Sequence, residues 1–181
     1  SDDATGDNSW SNPSNAISSN NSYAESVDVA FSNTYYLKAT NFGFDIPSGS
    51  TINGIEVGIE RYYNRIGQED LLPSGIGGGE DYEVKLVLAN GSIGTTNKAS
   101  ETAWEYSDPD SYVLYGGASD LWGESWGSGD VNDVDFGVAL SAFGPGGTSY
   151  VDHIQIKVYY TESSGPPTVG VKYPLPAFKR S

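Results

Sequence analysis

The segment Ser50 to Tyr63, STINGIEVGIERYY, alternates with a period of two. Ile55, Val57, Ile59 and Arg61 fall on one side, and Gly54, Glu56, Gly58 and Glu60 on the other. Successive side chains of a strand point to opposite faces, so this pattern predicts a strand with one apolar and one charged face. Helical spacing does not fit, and two internal glycines would weaken a helix further. The same period returns in DYEVKLVLANGSIG, which places Tyr82, Val84, Leu86 and Leu88 inward and Glu83 and Lys85 outward. It returns in VDFGVALSAF through Phe136, Val138 and Leu140, and in SYVDHIQIKVYYT through Ile154, Ile156, Val158 and Tyr160. Tyr35 to Phe44 has strand composition and ends at DIPSG, where Pro47 and Gly49 mark a turn. Asn90-Gly91 is the strongest hairpin-turn dipeptide in the chain.

No segment offers a convincing amphipathic helix, and 13 tyrosines, 23 glycines and many Ser, Thr and Asn suit strands and turns. The expected fold is therefore all-β: a single antiparallel β-sandwich of jelly-roll type with extended N- and C-terminal arms. Residues 1–22 read as a polar, irregular arm pinned by Trp10, residues 23–162 as the sandwich domain, and residues 163–181 as a Pro-rich basic arm. Residues 64 to 80 read as a long loop whose Leu71, Leu72 and Ile76 suit cover by a partner.

Charge narrows the partners. The net charge is −15, which repels nucleic acid and anionic membranes. All 24 carboxylates and six of the nine basic residues lie at or before Glu162, so the body carries −18 and the remainder +3. That split suits a tail that docks on an acidic surface, its own or a neighbour's. Four of the nine prolines lie after residue 162, which favours an extended segment over a central strand. The apolar residues Val169, Val171, Tyr173, Leu175 and Phe178 are ones a free linker would not need. Tyr173, Leu175 and Phe178 are the expected assembly anchors, with Lys172, Lys179 and Arg180 as their charge partners. No apolar run is long enough to span a membrane, so no membrane insertion is expected. No basic stretch followed by an apolar run opens the sequence, so no signal peptide is expected. Ser1 in a sequence without Met reads either as a start that lost its initiator or as a cleavage product.

Chemistry-bearing residues are scarce. There is no cysteine, hence no disulfide and no zinc–thiolate site. The one histidine, His153, falls on the face opposite Ile154, with Gln155 and Lys157, and is expected to meet solvent. No Gly-x-Ser-x-Gly elbow is present, and Glu80 and Asp81 after the run GIGGG oppose a phosphate loop. A hydrolase built on paired carboxylates is the third reading and carries little weight, because chance pairs are expected among 24 acids. In DVNDVD, Asp130, Asn132, Asp133 and Asp135 are hard oxygen donors that suit a structural calcium. They lack the order of an EF-hand loop, and turn capping is the favoured reading; no other cofactor is expected. Tyr115, Trp122 and Trp126 make a candidate sugar-stacking platform, against the favoured reading that the two tryptophans cover a sandwich edge.

Four pieces taken in order resemble a known domain: SWSNPSNA (Ser9 to Ala16), YLKATNFGFDIPSGSTINGIEVGIER (Tyr36 to Arg61), YGGASDLWG with DVNDVDFGVAL (Tyr115 to Gly123, Asp130 to Leu140), and YVDHIQIKVYY (Tyr150 to Tyr160). Together they resemble a β-sandwich domain of predicted bacteriophage structural proteins and of bacterial surface or secreted proteins, similar to galactose-binding-like jelly rolls. The resemblance spans residues 9 to 161 and carries no catalytic residues with it. It implies a non-enzymatic structural protein of a virion or extracellular assembly, such as a head-decoration, fibre or tail-associated protein or a filament subunit. Its partners would be other copies of itself or other assembly proteins. The alternative is a glycan-binding adhesin using the aromatic platform.

Overall fold

The computed structural model describes residues 6–29, 31–65, 78–106 and 112–163, together with the backbone of 170–172. In chain order the elements are β1 (Ala24–Asp28), β2 (Ser32–Asn33), β3 (Leu37–Thr40), β4 (Thr51–Asn64), β5 (Glu80–Val87), β6 (Tyr112–Gly117), α1 (Ser128–Asn132), β7 (Gly137–Gly144), β8 (Gly147–Thr161) and β9 (Gly170–Lys172). All pairings between these strands are antiparallel, and they build two sheets. One sheet has the order β1-β8-β4-β6, with β9 also on β8. In the other, β7 is flanked by β5 on one side and by β2 and β3 on the other. The molecule is thus the all-β antiparallel sandwich that the period-two segments predict.

From Ile55 to Arg61 the alternation of β4 survives. Ile55, Val57 and Ile59 are fully buried between the sheets, facing a core that includes Val84, Leu86, Phe136, Val138, Leu140, Ile154 and Ile156. Each such side chain contributes about 1.5–3 kcal/mol of transfer free energy. The glycines of β4 also have a reason. A Cβ on Gly54 would lie 2.3 Å from the Gly117 carbonyl oxygen, because the chain leaving β6 crosses directly over it.

Register shifts break the pairing at three places: at Asn53 of β4, in β5 and in β8. In β5 the register to β7 shifts between Asp81 and Glu83, so Tyr82 is the extra residue. The shift turns Asp81 inward and leaves Tyr82 46% exposed, which corrects the expectation that Tyr82 faces the core. In β8 the register to β4 steps from Glu60–His153 to Arg61–Val151, making Asp152 the extra residue.

The N-terminal segment lies along the sandwich. Trp10 is buried, as expected of a pin, and its Nε1 donates to the Tyr35 carbonyl. Ser11 exchanges backbone hydrogen bonds with Glu25 at the outer edge of β1, and Ile17 bridges to His153 of β8. The outer edge of β5 is covered too. After the turn at Asn90-Gly91 the chain returns along it, with Gly94 and Lys98 donating to Leu86 and Val84. No helix among the described residues is long and apolar enough to cross a membrane.

Candidate functional site

Arg61 of β4, Asp81 of β5 and Tyr115 of β6 meet between the sheets. Asp81 Oδ1 accepts from Arg61 Nε at 3.0 Å and from Trp104 Nε1 at 2.8 Å. Its Oδ2 accepts from Arg61 Nη2 at 3.2 Å, Tyr115 OH at 2.8 Å and the Ser100 amide at 2.9 Å. The guanidinium lies 4.5 Å from the centre of the Trp104 ring. One carboxylate thus receives five donors, and burial with the adjacent Asp81 charge holds the Tyr115 phenol well above its ordinary pKa. The cluster thereby ties β5 of one sheet to β4 and β6 of the other.

The predicted aromatic platform is not assembled. Tyr115 is 4% and Trp122 1% exposed, so neither offers a ring face to a sugar. Tyr115 is drawn inward by Asp81. Trp122 takes a left-handed φ of 58°, with its amide donating to Asp120 Oδ1 and its indole Nε1 to the Ile55 carbonyl. Trp126 alone is partly exposed. It packs edge-on against Phe136 and lines an open cleft of about 230 Å³ with Leu88, Asn90, Glu124 and Asp130.

The calcium candidates act as turn caps. Asp130 Oδ2 accepts from the Gly127 amide at the start of α1, and Asp133 Oδ1 from the Asp135 amide. Asn132 exchanges two hydrogen bonds with the backbone of Ile46, tying α1 to the connection between β3 and β4. Among the described residues no group of three or more His, Asp or Glu side chains is placed to hold a metal ion.

His153 does lie on the outer face, but it is 8% exposed, because the N-terminal segment covers it. This corrects the expectation of a solvent-facing histidine. Its Nδ1 is 2.6 Å from Tyr112 OH, and burial lowers its pKa against the opposing pull of Asp152. Asp152 in turn accepts from the amides of Asn20 and Asn21. Another buried acid, Asp28, sits at the end of β1, where Ser149 Oγ donates to it at 2.8 Å. Desolvation raises its pKa to about 6.

The prominent apolar surface escaped the sequence reading. Val27, Val29 and Phe31 are 73%, 68% and 73% exposed, in alternation with Ser26 and Asp28, which are buried. The signal was present in SVDVAF, a short period-two run whose Ser26 and Asp28 are buried and whose Val27, Val29 and Phe31 are exposed. Of the tail residues, Lys172 has its backbone in β9, paired with Val158, whereas Tyr173, Leu175, Phe178, Lys179 and Arg180 lie outside the described residues, as do Leu71, Leu72 and Ile76. Comparison with protein-family models, curated proteins and solved structures found no match.

Proposed function

We propose that this chain is a non-enzymatic structural subunit of a virion or extracellular assembly, joined to its neighbours through exposed apolar side chains and its C-terminal arm. The observation that carries the reading is the row Val27, Val29 and Phe31, three apolar side chains standing out where the chain leaves β1 and enters β2, in an otherwise acidic protein. The resemblance to structural domains of phage and bacterial surface proteins supports it from the sequence side. So does the use of Arg61, Asp81 and Tyr115 as internal fastenings.

Light scattering on the wild type and on Val27→Thr/Phe31→Asn tests the reading. Phe31 has a φ of 59°, a conformation that Asn tolerates well, so the variant keeps its backbone. A fall in assembled mass supports the proposal, and an unchanged mass overturns the role of the row.

A second reading has its own observation. The cleft beside Trp126 sets an indole among Glu124, Asp130 and Asn90, a combination that suits a neutral or amine-bearing saccharide. A glycan array with Glu124→Gln and Trp126→Ala as controls tests it. Binding lost in both variants supports the cleft, and an array without hits removes it.

A further inference from the structure

Three polar side chains form a row across one sheet. Ser26 of β1 is the register partner of Ser149 of β8, and Ser149 is the partner of Tyr63 of β4. All three are fully buried. Asp28, two positions beyond Ser26 and so on the same face of β1, is 5% exposed and pairs with Gly147. The Tyr63 phenol reaches that same glycine, since a Cβ on Gly147 would lie 2.8 Å from Tyr63 OH. A Cβ on Gly144 would lie 2.3 Å from Asp28 Oδ2. The glycines that end β7 and begin β8 thus keep side chains off Asp28 and Tyr63. The two groups also feel each other: after burial, the Asp28 charge is the next cause that holds the Tyr63 phenol above its ordinary pKa.

This group is short of partners. Ser149 Oγ donates to Asp28 Oδ2. Asp28 Oδ1, Ser26 Oγ and Tyr63 OH are sealed from solvent and find no hydrogen-bond partner among the described residues. Buried polar atoms are nearly always bonded, so three orphans in one place call for a common partner. A water molecule could bond the two hydroxyls, but it brings no charge to the carboxylate. Among the described residues no cationic side chain forms a salt bridge with Asp28. Arg65 bears on Tyr63 and not on Asp28. A buried charge without a counter-charge is costly, and a cation answers both needs at once. The donors are all oxygen, which selects a hard cation. A single carboxylate among neutral hydroxyls balances one positive charge, which favours a monovalent ion over calcium or magnesium.

We infer that Asp28, Ser26 and Tyr63 bind a monovalent cation, sodium or potassium, inside the sandwich. Ser149 positions the Asp28 carboxylate through its hydrogen bond to Oδ2. The site does not depend on the assembly reading, but it has a consequence for it. Asp28 stands between the exposed Val27 and Val29, so an ion held here fixes the base of that row.

Thermal unfolding of the full chain at neutral pH tests the site, in sodium, potassium or choline chloride at equal ionic strength. Choline is too large to enter a buried oxygen site, and in it Asp28 behaves as an uncompensated buried acid. With the salt at about 0.2 M and a Kd of about 10 mM, sodium or potassium should raise the melting temperature by about 4–7 °C over choline. Asp28→Asn keeps the shape and loses the charge, and its melting temperature should be the same in all three salts. Tyr63→Phe removes a hydroxyl that no described residue bonds, so it should fold normally and show less than half the wild-type response. Equal wild-type melting temperatures in the three salts overturn the inference and leave the hydroxyls to ordered water. An Asp28→Asn response as large as that of the wild type overturns it as a general salt effect. A Tyr63→Phe response equal to that of the wild type overturns it too, because the phenol then takes no part. Stabilisation by millimolar calcium chloride but by neither monovalent salt overturns the assignment of the ion.

Discussion

Arg61 and Asp81 hold the two sheets together through paired contacts of 3.0 and 3.2 Å, with both side chains sealed from solvent. The pair exists only because the β5 bulge rotates Asp81 into the interior in place of Tyr82. Arg61 arrives there by the plain alternation of β4, and Trp104 and Tyr115 close the remaining sides.

Breaking this pair from one side is expected to be costly. Asp81→Ala leaves a buried guanidinium without its carboxylate and should lower unfolding stability by about 3–5 kcal/mol. Replacing both partners by apolar residues, as in Arg61→Met/Asp81→Leu, should cost clearly less, because no charge is then stranded. Urea unfolding of the three proteins checks this. A loss below about 1 kcal/mol for Asp81→Ala contradicts the clamp.

Asp28 should make the fold less stable as pH rises. Its pKa is about 6 in the folded state against 3.8 for the ordinary side chain, so the folded protein holds the proton more tightly. The favourable contribution is present below pH 3.8 and is lost progressively up to about pH 6. Asp28→Asn removes the charge and should stabilise the protein at pH 7.5 by up to about 3 kcal/mol, with little effect at pH 3.5. Denaturant midpoints at the two pH values decide the matter, and equal effects at both contradict it.

His153 works in the opposite direction. Its folded pKa lies below the ordinary value of 6.5, so its contribution is present above that pH and is lost as pH falls through the lowered value. Protonation would charge a ring held between Tyr112 and the N-terminal segment. The protection of the Asn20 and Asn21 amides against hydrogen exchange, relative to the intrinsic rate at each pH, should therefore fall on acidification more than protection in β4. His153→Gln should reduce that difference, and exchange unaffected by the substitution contradicts the coupling.

A Cβ at residue 54 has no room beneath the Gly117–Ala118 backbone. Gly54→Ala should destabilise the sandwich by about 1–3 kcal/mol through overpacking, whereas the same change at the unobstructed Gly129 should be close to neutral. Thermal unfolding of the pair checks this, and equal melting temperatures contradict the crossing.

Much of the architecture was legible because strands buried on one face announce themselves at period two. The inward residues of β4 and β8 follow directly from that pattern. The bulges were not legible, since a single extra residue leaves composition unchanged and inverts the facing of what precedes it; Tyr82 and Asp81 exchange places for that reason. His153 was assigned to the correct face, but its cover comes from Ile17, more than 130 positions away, and strand periodicity carries no information about such a neighbour. Tyr115 and Trp122 looked like a platform because aromatic content says nothing of direction. Tyr115 faces in by the alternation of β6, and Trp122 by the left-handed turn that carries it. The capping of α1 by Asp130 was legible from the known preference of Asp and Asn for turns.

A subunit that joins its neighbours through Val27, Val29 and Phe31 must associate in solution. Sedimentation velocity of the intact protein, run across a wide concentration range at moderate salt, tests it most directly. Species are expected that grow with concentration beyond the 19.2 kDa monomer and shrink when Phe31 is replaced by Asn. A single 19.2 kDa monomer at every concentration contradicts it.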